Sequence, residues 1–138
     1  MRVVLSGGPS DSELKIAQSI RSLVKLPCLN LVGKDTLEQS KALLQRADVV
    51  MSPDSGPAHV ASALETPVLG LYASTWSRRS GPYNSLDLCV DRFPEAARLY
   101  RGREPEALRW GTRIENEGVM DLIKPADVIQ KLGAFITN

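Results

Sequence analysis

Asp48-Val49-Val50-Met51-Ser52-Pro53-Asp54-Ser55-Gly56-Pro57-Ala58-His59-Val60-Ala61-Ser62-Ala63-Leu64 passes from an apolar strand pattern through a tight glycine turn directly into a helical pattern. A strand, a turn and a helix N-terminus in that order make an anion site. The first backbone N–H groups of a helix have no intrahelical partner and carry the positive end of the peptide dipoles, so phosphate oxygens bind there. Pro57 suits the first helical turn, where a missing N–H costs nothing. Gly56 admits a ligand to the backbone, Ser55 offers a cap or a hydroxyl, and Asp54 is an acceptor for sugar hydroxyls or for its own turn. His59, the single histidine of the chain, stands at the start of the same helix.

Outward from this motif, strands and helices alternate, which is the signature of a parallel sheet covered on both faces. Arg2 to Leu5, Cys28 to Leu31, Val49 to Ser52 and Val68 to Tyr72 read as strands. Ser10-Asp11-Ser12-Glu13 is a capping box that opens a helix through Val24, with Leu14, Ala17, Ile20, Leu23 and Val24 as its apolar stripe. Thr36-Leu37-Glu38-Gln39 is a second capping box, leading a helix to Arg46. Crossovers through single helices bring the strand C-termini to one edge, where such sheets bind ligands. Four loops leave that edge: Ser6-Gly7-Gly8-Pro9, Gly33-Lys34, the Asp54 motif and Ala73-Ser74-Thr75.

Composition agrees with one soluble α/β domain over residues 1–138. The chain has 138 residues, 43% of them hydrophobic, enough to bury one core. A formal net charge of +1 gives no electrostatic case for nucleic acid as a partner. No apolar run approaches a membrane span and Met1 opens no signal peptide, so a cytoplasmic location is expected. Cys28 and Cys89 lack any CxxC or histidine-rich context and read as reduced thiols, with no metal site expected.

Five stretches in order carry a resemblance: Leu29 to Leu37, Ala47 to Ser52, the Asp54 motif, Thr66 to Tyr72, and Arg78-Arg79-Ser80-Gly81-Pro82-Tyr83. Together they resemble the C-terminal half of glycosyltransferase family nine, the ADP-heptose:lipopolysaccharide heptosyltransferases. The likeness begins at Val3-Val4-Leu5-Ser6-Gly7-Gly8-Pro9 and extends more loosely beyond Tyr83. It implies a Rossmann-like parallel sheet with helices on both faces, the C-terminal half of a GT-B glycosyltransferase. The implied reaction is inverting transfer of a sugar from a nucleotide diphosphate, ADP-heptose, to a hydroxyl of the lipopolysaccharide core, without a metal ion or other cofactor.

On that resemblance Asp54 would contact donor sugar hydroxyls, and the N–H groups of Ser55 and Gly56, at the turn closed by Pro57, would hold the diphosphate. His59 would contact a phosphate oxygen. Ser6, Gly7 and Gly8, with Gly33 and Lys34, would shape the pocket for ribose and base. Arg78 and Arg79 are read either as a charged loop face or as phosphate contacts. The general base and the acceptor side belong to the N-terminal domain of such enzymes, which precedes the matched region together with a first strand and helix. The chain by itself is therefore expected to be a donor half-site without catalytic residues of its own, with peripheral inner-membrane association arising in the full-length enzyme. Two alternatives stay open: a non-catalytic nucleotide-binding or assembly domain, and a related two-domain enzyme acting on a UDP-sugar.

Beyond Tyr83, Leu86 to Val90 reads as an edge strand, Pro94 to Tyr100 as a short helix, and Arg101 to Gly118 as a solvated loop with a short helix near 104–110. Trp76 and Trp110, the two tryptophans, are expected at packing seams. Pro125 opens a final helix whose Val128, Ile129, Leu132 and Phe135 or Ile136 face the sheet.

Overall fold

A computed structural model describes residues 2–137. The chain forms two compact units, one ending at Leu43 and the other beginning at Leu44. The first holds β1 (Val3–Leu5), α1 (Asp11–Leu23), β2 (Cys28–Asn30) and most of α2 (Leu37–Gln45). The second holds β3 (Val50–Pro53), α3 (Gly56–Ala63), β4 (Val68–Tyr72), α4 (Ser77–Ser80), β5 (Val90–Asp91), α5 (Phe93–Arg101) and α6 (Pro125–Thr137). Among the described residues no helix is long and apolar enough to cross a membrane.

In the first unit β1 and β2 pair in parallel, with Val3 opposite Cys28 and Leu5 opposite Asn30. Thr36 and Gln39 complete the expected capping box, each side chain accepting the other residue's backbone N–H at 2.9 and 3.3 Å. The first box closes differently. Ser10 Oγ accepts the Glu13 N–H at 3.3 Å and donates to Glu13 Oε1 at 3.2 Å, while Glu13 Oε2 takes the N–H of Gly8 at 2.6 Å rather than that of Ser10. The apolar stripe of α1 is narrower than its sequence pattern. Ala17 is buried and Leu14 and Val24 half-buried, whereas Ile20 is exposed and Leu23 is 80% exposed. At about 100° per residue Leu23 points half a turn away from Leu14, so it cannot share that face.

The second unit is a parallel sheet in the order β3-β4-β5, with Val50 opposite Val68 and Leu71 opposite Val90. Alternation along β4 separates two cores. Val68 packs with Leu44, Ala58 and Ala61 under α3. Leu69, its neighbour, packs with Leu88 and Val90 against Val128, Leu132 and Phe135 of α6. Helices therefore cover both faces of this sheet. Ile129 and Ile136, expected on that apolar face, are exposed instead. A third core joins Phe93, Ala96 and Ala97 of α5 to Ile114 and Val119 of the following excursion.

The expected edge strand at 86–90 is a 3₁₀ turn over Leu86–Leu88 followed by the two-residue β5. The reason lies in β4: the Val68 N–H, which an adjacent strand would accept, donates to the Ser85 hydroxyl at 3.0 Å. Pairing starts only at Val90, where the chain has turned alongside Leu71. The 101–118 segment contains a short 3₁₀ turn, Pro105–Ala107, and is pinned by Ile114, which is fully buried and donates its N–H to the Ser74 carbonyl at 2.9 Å.

Candidate functional site

The strand-turn-helix motif forms as its residues dictate. β3 ends at Pro53, Asp54 and Ser55 make the turn, and α3 begins at Gly56 with Pro57 in its first turn. Ser55 is extended at the N-cap and makes no side-chain cap; its Oγ pairs with Ser52 Oγ at 2.8 Å. The helix start is therefore unsatisfied: the first helical bond among these residues is His59 N–H to the Ser55 carbonyl at 3.3 Å, leaving the N–H groups of Gly56 and Ala58 without intrahelical partners. A side chain built at Gly56 would meet nothing within 4 Å, so the space before the helix is open.

Asp54 is the hub beside this opening. Its side chain is only 13% exposed. Oδ1 lies 3.2 Å from His59 Nε2, and Oδ2 accepts from Ser80 Oγ at 2.7 Å and faces Arg79 at 3.7 Å. Burial alone would push the Asp54 carboxyl up, but hydrogen bonds from Ser80 and Thr75 and the neighbouring His59 outweigh it, so the carboxyl lies below its ordinary range. Ser80 is itself held in place, because Tyr72 of β4 donates its hydroxyl to the Ser80 carbonyl at 3.2 Å. Gly81 permits the tight end of α4: its N–H reaches the Ser77 carbonyl at 2.6 Å, and a Cβ there would sit 2.5 Å from that same oxygen. With Nε2–H given to Asp54, Nδ1 is the His59 nitrogen left for a ligand, and it donates when the ring is protonated.

A small cavity of about 130 Å³ opens at the C-terminal ends of β3 and β4, walled by Asp54, Leu71, Ser74, Thr75, Arg113 and Glu115 among others. Arg113 and Glu115 were not among the residues expected here, since their charge reads as a solvated loop. The signal that would have found them is Ile114, a lone apolar residue between two charges whose burial holds both neighbours at the cavity.

The other expected site residues lie in the first unit, where the fold does bring them together. The Gly33 N–H donates to the Gly7 carbonyl at 3.0 Å, joining the loops after β1 and β2, and Gly33 takes a left-handed φ of 69°. Ser6 Oγ reaches Asp35 at 3.4 Å. Lys34 is exposed, with Nζ on the Asn30 carbonyl at 3.2 Å. The Glu13 carboxylate fills the concavity of the Gly7-Gly8 turn, only 2.5 Å from where a Gly7 Cβ would lie. This turn thus carries negative charge, which suits hydroxyl donors and opposes phosphate.

With this geometry in view, comparison with known proteins assigns the family. The sequence profile of glycosyltransferase family 9 (heptosyltransferase) matches residues 1–106. The chain belongs to glycosyltransferase family 9. Among curated relatives in the family, the lipopolysaccharide core heptosyltransferase OpsX of Haemophilus influenzae is 38% identical over 138 residues, a match covering 98% of this chain and 40% of that protein. Lipopolysaccharide heptosyltransferase 3 of Escherichia coli is 29% identical, over 99% of this chain and 38% of the relative. The chain thus spans about two fifths of the length of these relatives. Two solved structures share the fold over 99% of the chain and 36% of their own length. They are a family 9 glycosyl transferase from Veillonella parvula (TM-score 0.72, 20% identity) and the E. coli ADP-heptose lps heptosyltransferase II (TM-score 0.67, 23% identity).

Proposed function

We propose that this chain is the donor-binding half of a lipopolysaccharide heptosyltransferase, holding a nucleotide-diphospho-sugar, ADP-heptose, for inverting transfer to the lipopolysaccharide core. The observation that carries the reading is the uncapped, open N-terminus of α3 beside the Asp54–His59 pair. Negative charge grows on the departing nucleotide diphosphate as the glycosidic bond breaks. Fixed N–H donors at a helix start stabilise that charge without reorganising and without a metal ion. His59, anchored through Nε2, presents Nδ1 one turn into the helix, a further donor when the ring is protonated. Asp54 keeps the imidazole oriented, and its side of the cavity, rich in acceptors, suits sugar hydroxyls. The base that deprotonates the acceptor hydroxyl is assigned to the N-terminal half of the whole enzyme, which would work in the cytoplasm at the inner-membrane surface.

The test is an NMR titration of the labelled chain with ADP, UDP and GDP, following the Ser55 and Gly56 amides and the His59 ring. Selective shifts with ADP support the donor site and its base preference. Equal shifts with all three support a diphosphate site with no base preference, and silence at millimolar nucleotide reduces the motif to a helix start.

A further inference from the structure

The cavity at the C-terminal ends of β3 and β4 has a wall that the Asp54 motif does not supply. That wall comes from Arg113-Ile114-Glu115, in the excursion that follows α5. Ile114 is fully buried in a core with Phe93 and Val119, and its N–H is fixed on the Ser74 carbonyl at 2.9 Å. Arg113 and Glu115 line the cavity while Ile114 between them turns into the core, an alternation like that along a strand. Anchoring the middle residue therefore presents the two charged neighbours together. Both stand outside residues 1–106, the stretch that the family profile covers.

The two charges do little for each other. Arg113 Nη1 and Glu115 Oε1 lie 4.0 Å apart, the longest ion pair among the described residues, with side chains 59% and 72% exposed. Such a pair adds little stability and leaves both groups available to a ligand. Size and charge then define the occupant. About 130 Å³ is well below the roughly 300 Å³ at which pockets begin to enclose whole small-molecule ligands, so the cavity takes one part of a larger ligand. Its lining sets two carboxylates, Asp54 and Glu115, against one guanidinium, which opposes a phosphate and suits a neutral group. Leu71 and Met120 add apolar walls. A sugar ring meets all of these terms: it is neutral, its C–H faces are apolar, and its hydroxyls donate to carboxylates and accept from a guanidinium.

We infer that Arg113 and Glu115 are sugar-binding residues, holding hydroxyls of the donor's sugar in this cavity while its diphosphate lies at the start of α3. The inference rests on the donor reading above and extends it to the far side of the cavity from the Asp54 turn. It also has a consequence for turnover. Once the glycosidic bond breaks, contacts to the sugar no longer hold the nucleotide, so this wall makes the intact donor bind more tightly than the spent nucleoside diphosphate.

The experiment titrates the labelled chain with ADP and with ADP-heptose, in wild type, Arg113→Ala and Glu115→Ala. The Ser55 and Gly56 amides report the diphosphate, and the side-chain methyls of Leu71 and Met120 report the cavity. ADP should move the amides alone, and ADP-heptose should move amides and methyls together. Each substitution should weaken ADP-heptose at least fivefold and ADP less than twofold. Both side chains are exposed, so the denaturation midpoints should stay at the wild-type value; if a variant fails to fold, the wild-type methyls decide the matter without it. Methyls silent to bound ADP-heptose, or substitutions that weaken the two ligands equally or weaken neither, overturn the inference. Failure of the donor reading looks different. Amides silent to both ligands sink the donor site and the inference with it, whereas amides that respond to ADP-heptose beside silent methyls keep the donor site and remove the sugar from this cavity.

Discussion

Asp54 Oδ1 and His59 Nε2 meet at 3.2 Å across the Ser55-Gly56-Pro57 turn, so one carboxylate closes the loop around the opening of α3. Replacing Asp54 by Asn presents an amide N–H₂ where His59, Ser80 and Arg79 all bring donors. The variant should lose about 1.5–3 kcal/mol in chemical denaturation near neutral pH, the range for hydrogen bonds to a charged group. The pH dependence has a definite sign. The folded carboxyl lies below its ordinary value of 3.8, so Asp54 stabilises fully above that pH, and its contribution fades as pH falls through the lowered folded value. Denaturation of wild type and Asp54→Asn should therefore differ above the ordinary carboxyl value and converge in stronger acid. A gap that stays constant in acid would show that the ionised carboxylate is not its source.

Two glycines separate packing from access. A Cβ at Gly70, in the middle of β4, would lie 2.4 Å from Tyr72 Cε2 and 2.9 Å from Cys89 Sγ, both buried. Gly70→Ala should cost about 1–3 kcal/mol by overpacking. Gly56→Ala meets open space and should leave stability within about 0.5 kcal/mol, as for surface changes generally. Its effect should instead be on nucleotide binding, with several-fold weaker ADP shifts at Ser55. Denaturant midpoints and the ADP titration, run on both variants, check the split.

Local signals in the sequence reached the local structure. The strand-helix alternation, the Thr36–Gln39 box and Pro57 in the first turn of α3 are set by residues within a few positions of one another, and all stand where the pattern places them. What escaped were pairings across distance. Ser80 meets Asp54 from 26 positions away, and an Arg-Arg-Ser-Gly loop carries no mark of that partner. Ser85 takes the place of a strand beside Val68 because a hydroxyl satisfies an N–H as well as a carbonyl does, which periodicity does not register. Glu13 satisfied the pattern of a capping box yet gave one carboxylate oxygen to the Gly8 N–H and the other to the Ser10 hydroxyl, because the glycine turn brings an N–H within reach.

The two thiols should differ sharply. Cys89 is 6% exposed, and burial pushes its thiol up to about 11, so almost none is thiolate near neutral pH. Cys28 is only half-buried on β2. A disulfide reagent at pH 8 should modify one thiol per chain promptly, and peptide mapping should place it at Cys28. Cys89 should react only as fast as the sheet opens, and faster in sub-denaturing urea. Prompt modification of both would mean that the β4–β5 edge is open in solution.

Ser80 offers a test of positioning without contact. Its Oγ bonds Asp54 at 2.7 Å while its carbonyl accepts the Tyr72 hydroxyl, so it ties the hub of the site to the central strand. Ser80→Ala keeps the backbone link to Tyr72 and deletes only the donor to Asp54. The loss should be about 1.5–3 kcal/mol of stability at most, the cost of one hydrogen bond to an ionised group. Asp54 would retain His59 and Arg79, but with its carboxylate free to rotate, the His59 ring loses its fixed orientation. The expected outcome is a His59 ring resonance that moves in the free chain together with several-fold weaker ADP binding, and both should recover in Ser80→Thr, which restores the hydroxyl. A variant that loses stability yet binds ADP as wild type does would confine Ser80 to packing and leave His59 orientation to Asp54 alone.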